Sequence, residues 1–232
     1  MITYTRRRLF SGFDGKFCKI SPSLAYDGEN TVLLSYEMLL LTGSDVTYGN
    51  YITRSTDGGK TFSEPIPQPA LPDLYEDGIR ISRTGTPLYS RRHKRWYGLG
   101  GASKYRDDKS PIVSAGGVAC TAPLFLTLDP VSGQFTGSEK LAFPCSYDGA
   151  VIMHQMIEEE NGDLLIPAFF AHTSFHGLRS LALRYRFAGD HLELIDAGDP
   201  LADDTLNHLQ MWNHRELLHR QVFHRLLLQK GD

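Results

Sequence analysis

The sequence predicts an all-β protein in which one four-stranded unit is used three times, and three observations carry that prediction. Residues 17–66, 84–144 and 149–198 each read strand, turn, strand, loop, strand, turn, strand. The longest connection falls after the second strand in every unit. The 22 glycines and 12 prolines are spread along 232 residues, which suits many short strands joined by tight turns.

The first unit opens with FCKISPSLAY, turns at Asp27-Gly28-Glu29-Asn30 and returns as TVLLSYEML. After a loop, GNYITRS leads through Thr56-Asp57-Gly58-Gly59 into KTFSEPI. In the second unit TGTPLYS and RWYGLGG flank the basic turn Arg91-Arg92-His93-Lys94; TAPLFLTL and QFTGSEKLAF flank Asp129-Pro130-Val131-Ser132-Gly133. The third unit pairs GAVIMHQMIE with LLIPAFF around Glu160-Asn161-Gly162-Asp163, and LRSLALRY with HLELIDAG around Phe187-Ala188-Gly189-Asp190. Runs of β-prone residues separated by Asp, Asn and Gly are hairpin chemistry. A four-stranded unit of roughly 40–50 residues is the plan of a propeller blade. A β-sandwich uses similar strands, but it has no reason to place its long connection after the second strand three times. The expected architecture is therefore an incomplete β-propeller over residues 1–200.

A fourth unit is due near residue 201, and the pattern stops there. Residues 201–232 hold four of the nine histidines, lack glycine until Gly231, and place Leu218, Val222 and Leu226 at helical spacing. An atypical helical tail is expected, either capping the third unit or marking the truncated or frame-shifted end of a longer gene.

Composition narrows the partners. A net charge of −3 and a pI near 6.3 give no footprint for nucleic acid or an anionic membrane. No run of about 18 apolar residues suggests a membrane span. The start, MITYTRRRLFSG, has basic residues without an apolar core after them, so no signal peptide is visible and a cytoplasmic location is expected unless the N-terminus is incomplete. Cys18, Cys120 and Cys145 form no CxxC pair and read as buried free thiols. No cofactor is expected: Gly98-Leu99-Gly100-Gly101 lacks the strand-to-helix setting of a phosphate loop. The Arg91–Arg95 cluster reads as a solubilising turn.

Ser55-Thr56-Asp57-Gly58-Gly59-Lys60-Thr61-Phe62 resembles the Asp-box, S-x-D-x-G-x-T-[WF], of the sialidase (neuraminidase) superfamily and related BNR-repeat propellers. Phe17-Cys18-Lys19-Ile20-Ser21-Pro22-Ser23-Leu24 is similar to a loosened copy of that family's [FY]-R-I-P-[AS]-L strand. Lys19 stands near the place of an arginine that clamps the sialic acid carboxylate. Tyr36-Glu37-Met38 keeps the Glu of an E-G-R motif and loses its Arg. The resemblance covers about residues 17–200 and implies a six-bladed propeller, of which three blades are visible, and a glycoside hydrolase acting on a carbohydrate. The family's catalytic Tyr–Glu pair would lie beyond this chain. A non-catalytic carbohydrate-binding or interaction fragment is the alternative, and polysaccharide lyase chemistry is not excluded.

In a propeller the loops after each second strand, here within 38–50, 101–120 and 171–178, open on one end, joined by the segments 67–83 and 144–148. The resemblance assigns the acid/base to the first of these, where Asp45 is the acidic residue. Such a group must be shielded to hold a proton near neutral pH; otherwise Asp45 is a solvated loop residue. Glu37 is the candidate second carboxylate, or a strand residue holding a basic neighbour. Lys19 offers an anion site as a point charge without the flat fork of Arg. Tyr105 and Arg106, in the polar run Lys104–Lys109, are candidate sugar contacts, by stacking and ion pairing, or parts of a solvated loop. His172 and His176 flank a short loop on the same end. Their spacing suits a metal only on a helix, so no metal site is expected.

Overall fold

A computed structural model describes residues 8–10, 13–114, 117–152, 156–172 and 178–202. Among these every regular element is a strand. Four strands, β1 (Phe17–Tyr26), β2 (Val32–Leu40), β3 (Thr47–Ser55) and β4 (Ile66–Pro67), form the first antiparallel sheet in chain order. The second sheet contains β5 (Leu74–Glu76), β6 (Ile79–Ser90), β7 (Arg95–Tyr105), β8 (Pro111–Ile112), β9 (Cys120–Leu128) and β10 (Phe135–Lys140). Its path is β6-β7-β9-β10, with β5 paired outside β6 and the short β8 on the end of β7. The third sheet contains β11 (Gly149–Ile152), β12 (Ile157–Glu158), β13 (Leu164–Ala171), β14 (Arg179–Ala188), β15 (His191–Ala197) and β16 (Leu201–Ala202). Here β11 and β12 pair successive stretches of β13, and β15 and β16 successive stretches of β14.

Each expected unit is thus one meandering sheet. Two boundaries differ from the sequence expectation. The second unit begins at Ile79 rather than residue 84, because Asp77 (φ 50°) and Gly78 (φ 75°) make a two-residue hairpin turn that pairs Leu74, Tyr75 and Glu76 with Ile81, Arg80 and Ile79. Two successive positive φ angles are the geometry of the hairpin turn whose twist matches its strands. The expected tail begins with Leu201 and Ala202 in a strand, since they pair with Ser180 and Arg179. The helix expected after them falls outside the described residues.

The middle sheet buries both faces. Along β9, Leu124, Leu126 and Leu128 pack toward the first sheet with Leu33 and Ile52, while Phe125 packs toward the third with Ile152, Ile166, Leu181 and Tyr185. Trp96 and Tyr97 divide in the same way on β7. Two-sided burial makes TAPLFLTL a nearly unbroken apolar run in place of a polar alternation. Each fully buried Leu or Phe contributes roughly 1.5–3 kcal/mol of transfer free energy.

Glycines let the second sheet close. Gly85 faces Gly100 across β6 and β7, and a Cβ on Gly100 would stand 1.9 Å from the Thr84 carbonyl oxygen. A Cβ on Gly98 would meet the buried Phe135 ring at 2.5 Å. The Gly98–Gly101 run therefore has a packing cause.

The turns within each sheet's two hairpins lie at one end and stitch neighbouring sheets. The Asp57 carboxylate closes its turn: it accepts the Ser55 hydroxyl (2.7 Å), the Thr61 N–H (2.9 Å) and the Thr61 hydroxyl (2.6 Å). Asp129 repeats part of this by accepting the N–H of Val131 and both N–H and hydroxyl of Ser132. Arg54 donates to the Val131 carbonyl at 2.7 Å, joining the first and second sheets. The Glu158 carboxylate accepts the Ser90 hydroxyl and the N–H groups of Arg91 and Arg92. Arg95 reaches Gly189 and Asp190 on the third sheet. Much of the basic turn is thus engaged in joining sheets.

Two outcomes follow from this packing. Gly100→Ala should lower stability by roughly 2–3 kcal/mol in chemical denaturation, because the obstacle is backbone. The Thr61 and Ser55 donors hold the Asp57 carboxyl well below its ordinary range. Its folded pKa lies below its unfolded value, so its stabilisation is complete above the unfolded value of about 4 and is lost as pH falls through the folded one. Thermal midpoints of the native chain and Asp57→Asn should therefore differ by a constant amount above about pH 5 and converge below about pH 4.

Candidate functional site

At the other end the connections of the first two sheets meet on a small apolar seat. Leu40 and Val46, which bracket the first loop, are buried against Tyr105 with Phe17 and Tyr48 around them. The Leu40 N–H donates to the Val46 carbonyl at 2.8 Å, and the Ser44 N–H donates to the Lys109 carbonyl at 2.6 Å. A Cβ on Gly43 would stand 2.5 Å from the Asp108 carbonyl oxygen, so this close approach requires glycine. The loop of the first sheet is docked on the loop of the second.

Arg80 occupies the middle of this junction. Its guanidinium lies 3.8 Å from the Tyr48 ring centroid and 4.3 Å from that of Tyr105. Nη1 donates to the Thr47 carbonyl (2.8 Å) and to Asp73 Oδ2 (2.9 Å). The side chain is 7% exposed, and the flat cation is well suited to lie between two rings. Nη2 of Arg80 and Oδ1 of Asp73 are buried without hydrogen-bond partners.

Around this pair the phenols are ordered. Tyr105 Oη donates to the Asp45 carbonyl oxygen at 3.2 Å and lies 3.1 Å from Thr47 Oγ1. Tyr48 donates to Asp108 Oδ1. Burial pushes the Tyr48 phenol up to about 12, and the Asp108 hydrogen bond adds to the shift. Tyr75, directly across from Arg80 in the β5–β6 hairpin, is 73% exposed, and its phenol also bears on Tyr48.

The expected site residues fall unevenly around this junction. Asp45 is on the loop and exposed, with φ 55°; its carbonyl, rather than its carboxylate, holds Tyr105. Tyr105 is not a loop residue: β7 continues to it, and it is buried at 3% exposure with its hydroxyl engaged. That corrects its expected role as an open stacking surface. Arg106 follows it and is exposed.

Lys19, half-buried on β1, holds its ammonium 5.6 Å from the centroid of Tyr36, which stacks on Tyr51 with centroids 5.4 Å apart. Glu37 is half-buried in β2, opposite Ile20 and Asn50. His172 ends β13's side of the third loop, with Nε2 3.1 Å from Ser146 Oγ. His176 lies outside the described residues. Among the described residues no group of three His, Cys, Asp or Glu side chains could hold a metal ion. Of the cysteines, expected to be buried, Cys145 is exposed, while burial pushes the Cys120 thiol up to about 11.

Arg80, Asp73, Tyr48, Asp108 and Tyr75 are the residues that reading the sequence missed. The available signal was the Asp77-Gly78 turn followed by Ile79, Ile81 alternation, which turns an apparent linker into a hairpin.

Comparison of the chain with protein-family models and with curated proteins gives no match.

The buried pair has a measurable consequence. Arg80→Met should lower stability by about 3 kcal/mol, because it leaves Asp73 half-buried without its cation. Arg80→Lys should recover only part of that loss, since an ammonium cannot fill the flat slot between the rings. Denaturant midpoints of the three proteins check both statements.

Proposed function

We propose that this chain supplies successive blades of a sialidase-like β-propeller and binds carbohydrate at its loop-bearing end. The observation that carries the reading is the serial arrangement of the sheets. Three antiparallel sheets, of four, six and six strands, pack face to face in chain order, and each connection after a second main strand emerges at the end opposite the hairpin turns. The Ser55–Phe62 turn supports it, because its serine, aspartate and threonine hydrogen-bond one another and close the hairpin. Propellers use one end of this kind for ligands, where loops vary without disturbing the sheets.

Binding is favoured over hydrolysis by the state of Asp45. A general acid works from a shielded site, and the Asp45 side chain is exposed on its loop. Hydrolysis is the second reading, favoured by the position of Asp45 on the docked first loop, with Glu37 as the other carboxylate and Lys19 as a charge for an anionic sugar.

A glycan array probed with the full chain, run beside fluorogenic sialoside and neutral glycoside assays, separates these. Retention without turnover is expected. Turnover abolished by Asp45→Ala would establish the hydrolase instead, and absence of retention on every glycan would sink the carbohydrate reading.

A further inference from the structure

The junction between the first two sheets carries chemistry that the expected anion site does not. Three segments meet there: 45–48, 73–80 and 104–109. Together they hold six carboxylates against four cations. One of those cations, Arg80, is buried and neutralised by Asp73. Setting that pair aside leaves five carboxylates against three cations, and the 104–109 loop is held by its own backbone: the Lys109 N–H donates to Asp107 and the Lys109 carbonyl accepts the Ser44 N–H.

Tyr75 stands across the β5–β6 ladder from Arg80. Its hairpin projects from the end of β6, and a tight turn with both central residues at positive φ fixes its direction. An aromatic ring of 73% exposure on a rigid hairpin offers a flat apolar face at little conformational cost. Tyr48, against whose ring Arg80 lies, occupies only Oδ1 of Asp108, whose side chain is exposed, and the Asp45 carboxylate is exposed on the neighbouring loop. Carboxylates accept hydrogen bonds and donate none when ionised. They match hydroxyl donors and repel another carboxylate.

Resting on the carbohydrate reading above, we propose that this junction is a subsite for an uncharged, hydroxyl-rich sugar. The Tyr75 ring stacks on the sugar face, and Asp108 and Asp45 accept its hydroxyls. Arg80 is a positioning residue: it fixes Tyr48 and Tyr105, and through them Asp108 and the 41–46 loop, without touching the sugar. The ligand class follows from the charge of the junction, which disfavours a carboxylate-bearing sugar at this place.

Affinity electrophoresis of the full chain tests it, in gels containing a soluble neutral glucan or galactan and, separately, polygalacturonate. The expected result is retardation in a neutral gel, weakened about tenfold or more by Tyr75→Ala and retained by Tyr75→Phe, the scale on which an aromatic anchor contributes. Asp108→Asn should also weaken it. Tyr26→Ala, an exposed aromatic at the other end of β1, should leave it unchanged. Retardation confined to polygalacturonate, or a neutral-gel retardation indifferent to Tyr75→Ala, overturns this subsite while leaving carbohydrate binding intact. Failure in every gel overturns the subsite together with the reading it rests on.

Discussion

The arrangement depends on the middle sheet having no free face. Leu124, Leu126 and Leu128 point one way and Phe125 the other, so the same strand belongs to two apolar cores. Period-two geometry makes this possible with consecutive apolar residues, and close packing makes it demanding, since each core must be filled from both sides at once. Gly85 and Gly98 meet that demand by leaving space for Phe135, and Gly100 by letting β6 come close. The outer sheets are then registered to each other through the middle one.

That registration is what assembles the loop-bearing junction. Arg80 stands near the start of β6 in the second sheet, while Thr47 and Tyr48 open β3 of the first and Asp45 lies on the loop before them. A guanidinium taken out of water requires both its ion pair and its aromatic neighbours to offset desolvation. The pair with Asp73 comes from a local segment, but the Tyr48 ring and the Thr47 carbonyl come from the other sheet. Local and distant partners are therefore both needed, and the geometry of the rim follows from how the sheets pack.

This difference explains what was legible in the sequence. Hairpin turns announce themselves through Asp, Asn and Gly at fixed places, so the three units and most strand positions could be read directly. Asp57 could be assigned a turn-closing role because its donors are four residues away or nearer. Arg80 gave no such signal: a charged residue between an Asp-Gly turn and a serine reads as surface until Tyr48 and Tyr105 cover it. Tyr105 was misplaced for a related reason, because Ser103-Lys104-Tyr105-Arg106 looks solvated although β7 continues through it. The Asp45 position was legible and its surroundings were not, since shielding is a property of tertiary neighbours.

The hairpin-turn end has a consequence for how this scaffold can diversify. Glu158 holds two N–H groups of the Arg91–Lys94 turn, the His93 ring lies 3.1 Å from the Gly162 carbonyl oxygen, and a Cβ on Gly133 would strike Leu33. Those turns are mutually constrained, so changing one obliges a neighbour to change. At the opposite end the first two loops meet through backbone at Gly43, Ser44 and Lys109, while the side chains of Asp45, Arg106 and Asp107 stay exposed. Replacing an exposed side chain is therefore cheap on one end and coupled on the other, so the loop-bearing surface can change while the stacked sheets stay as they are.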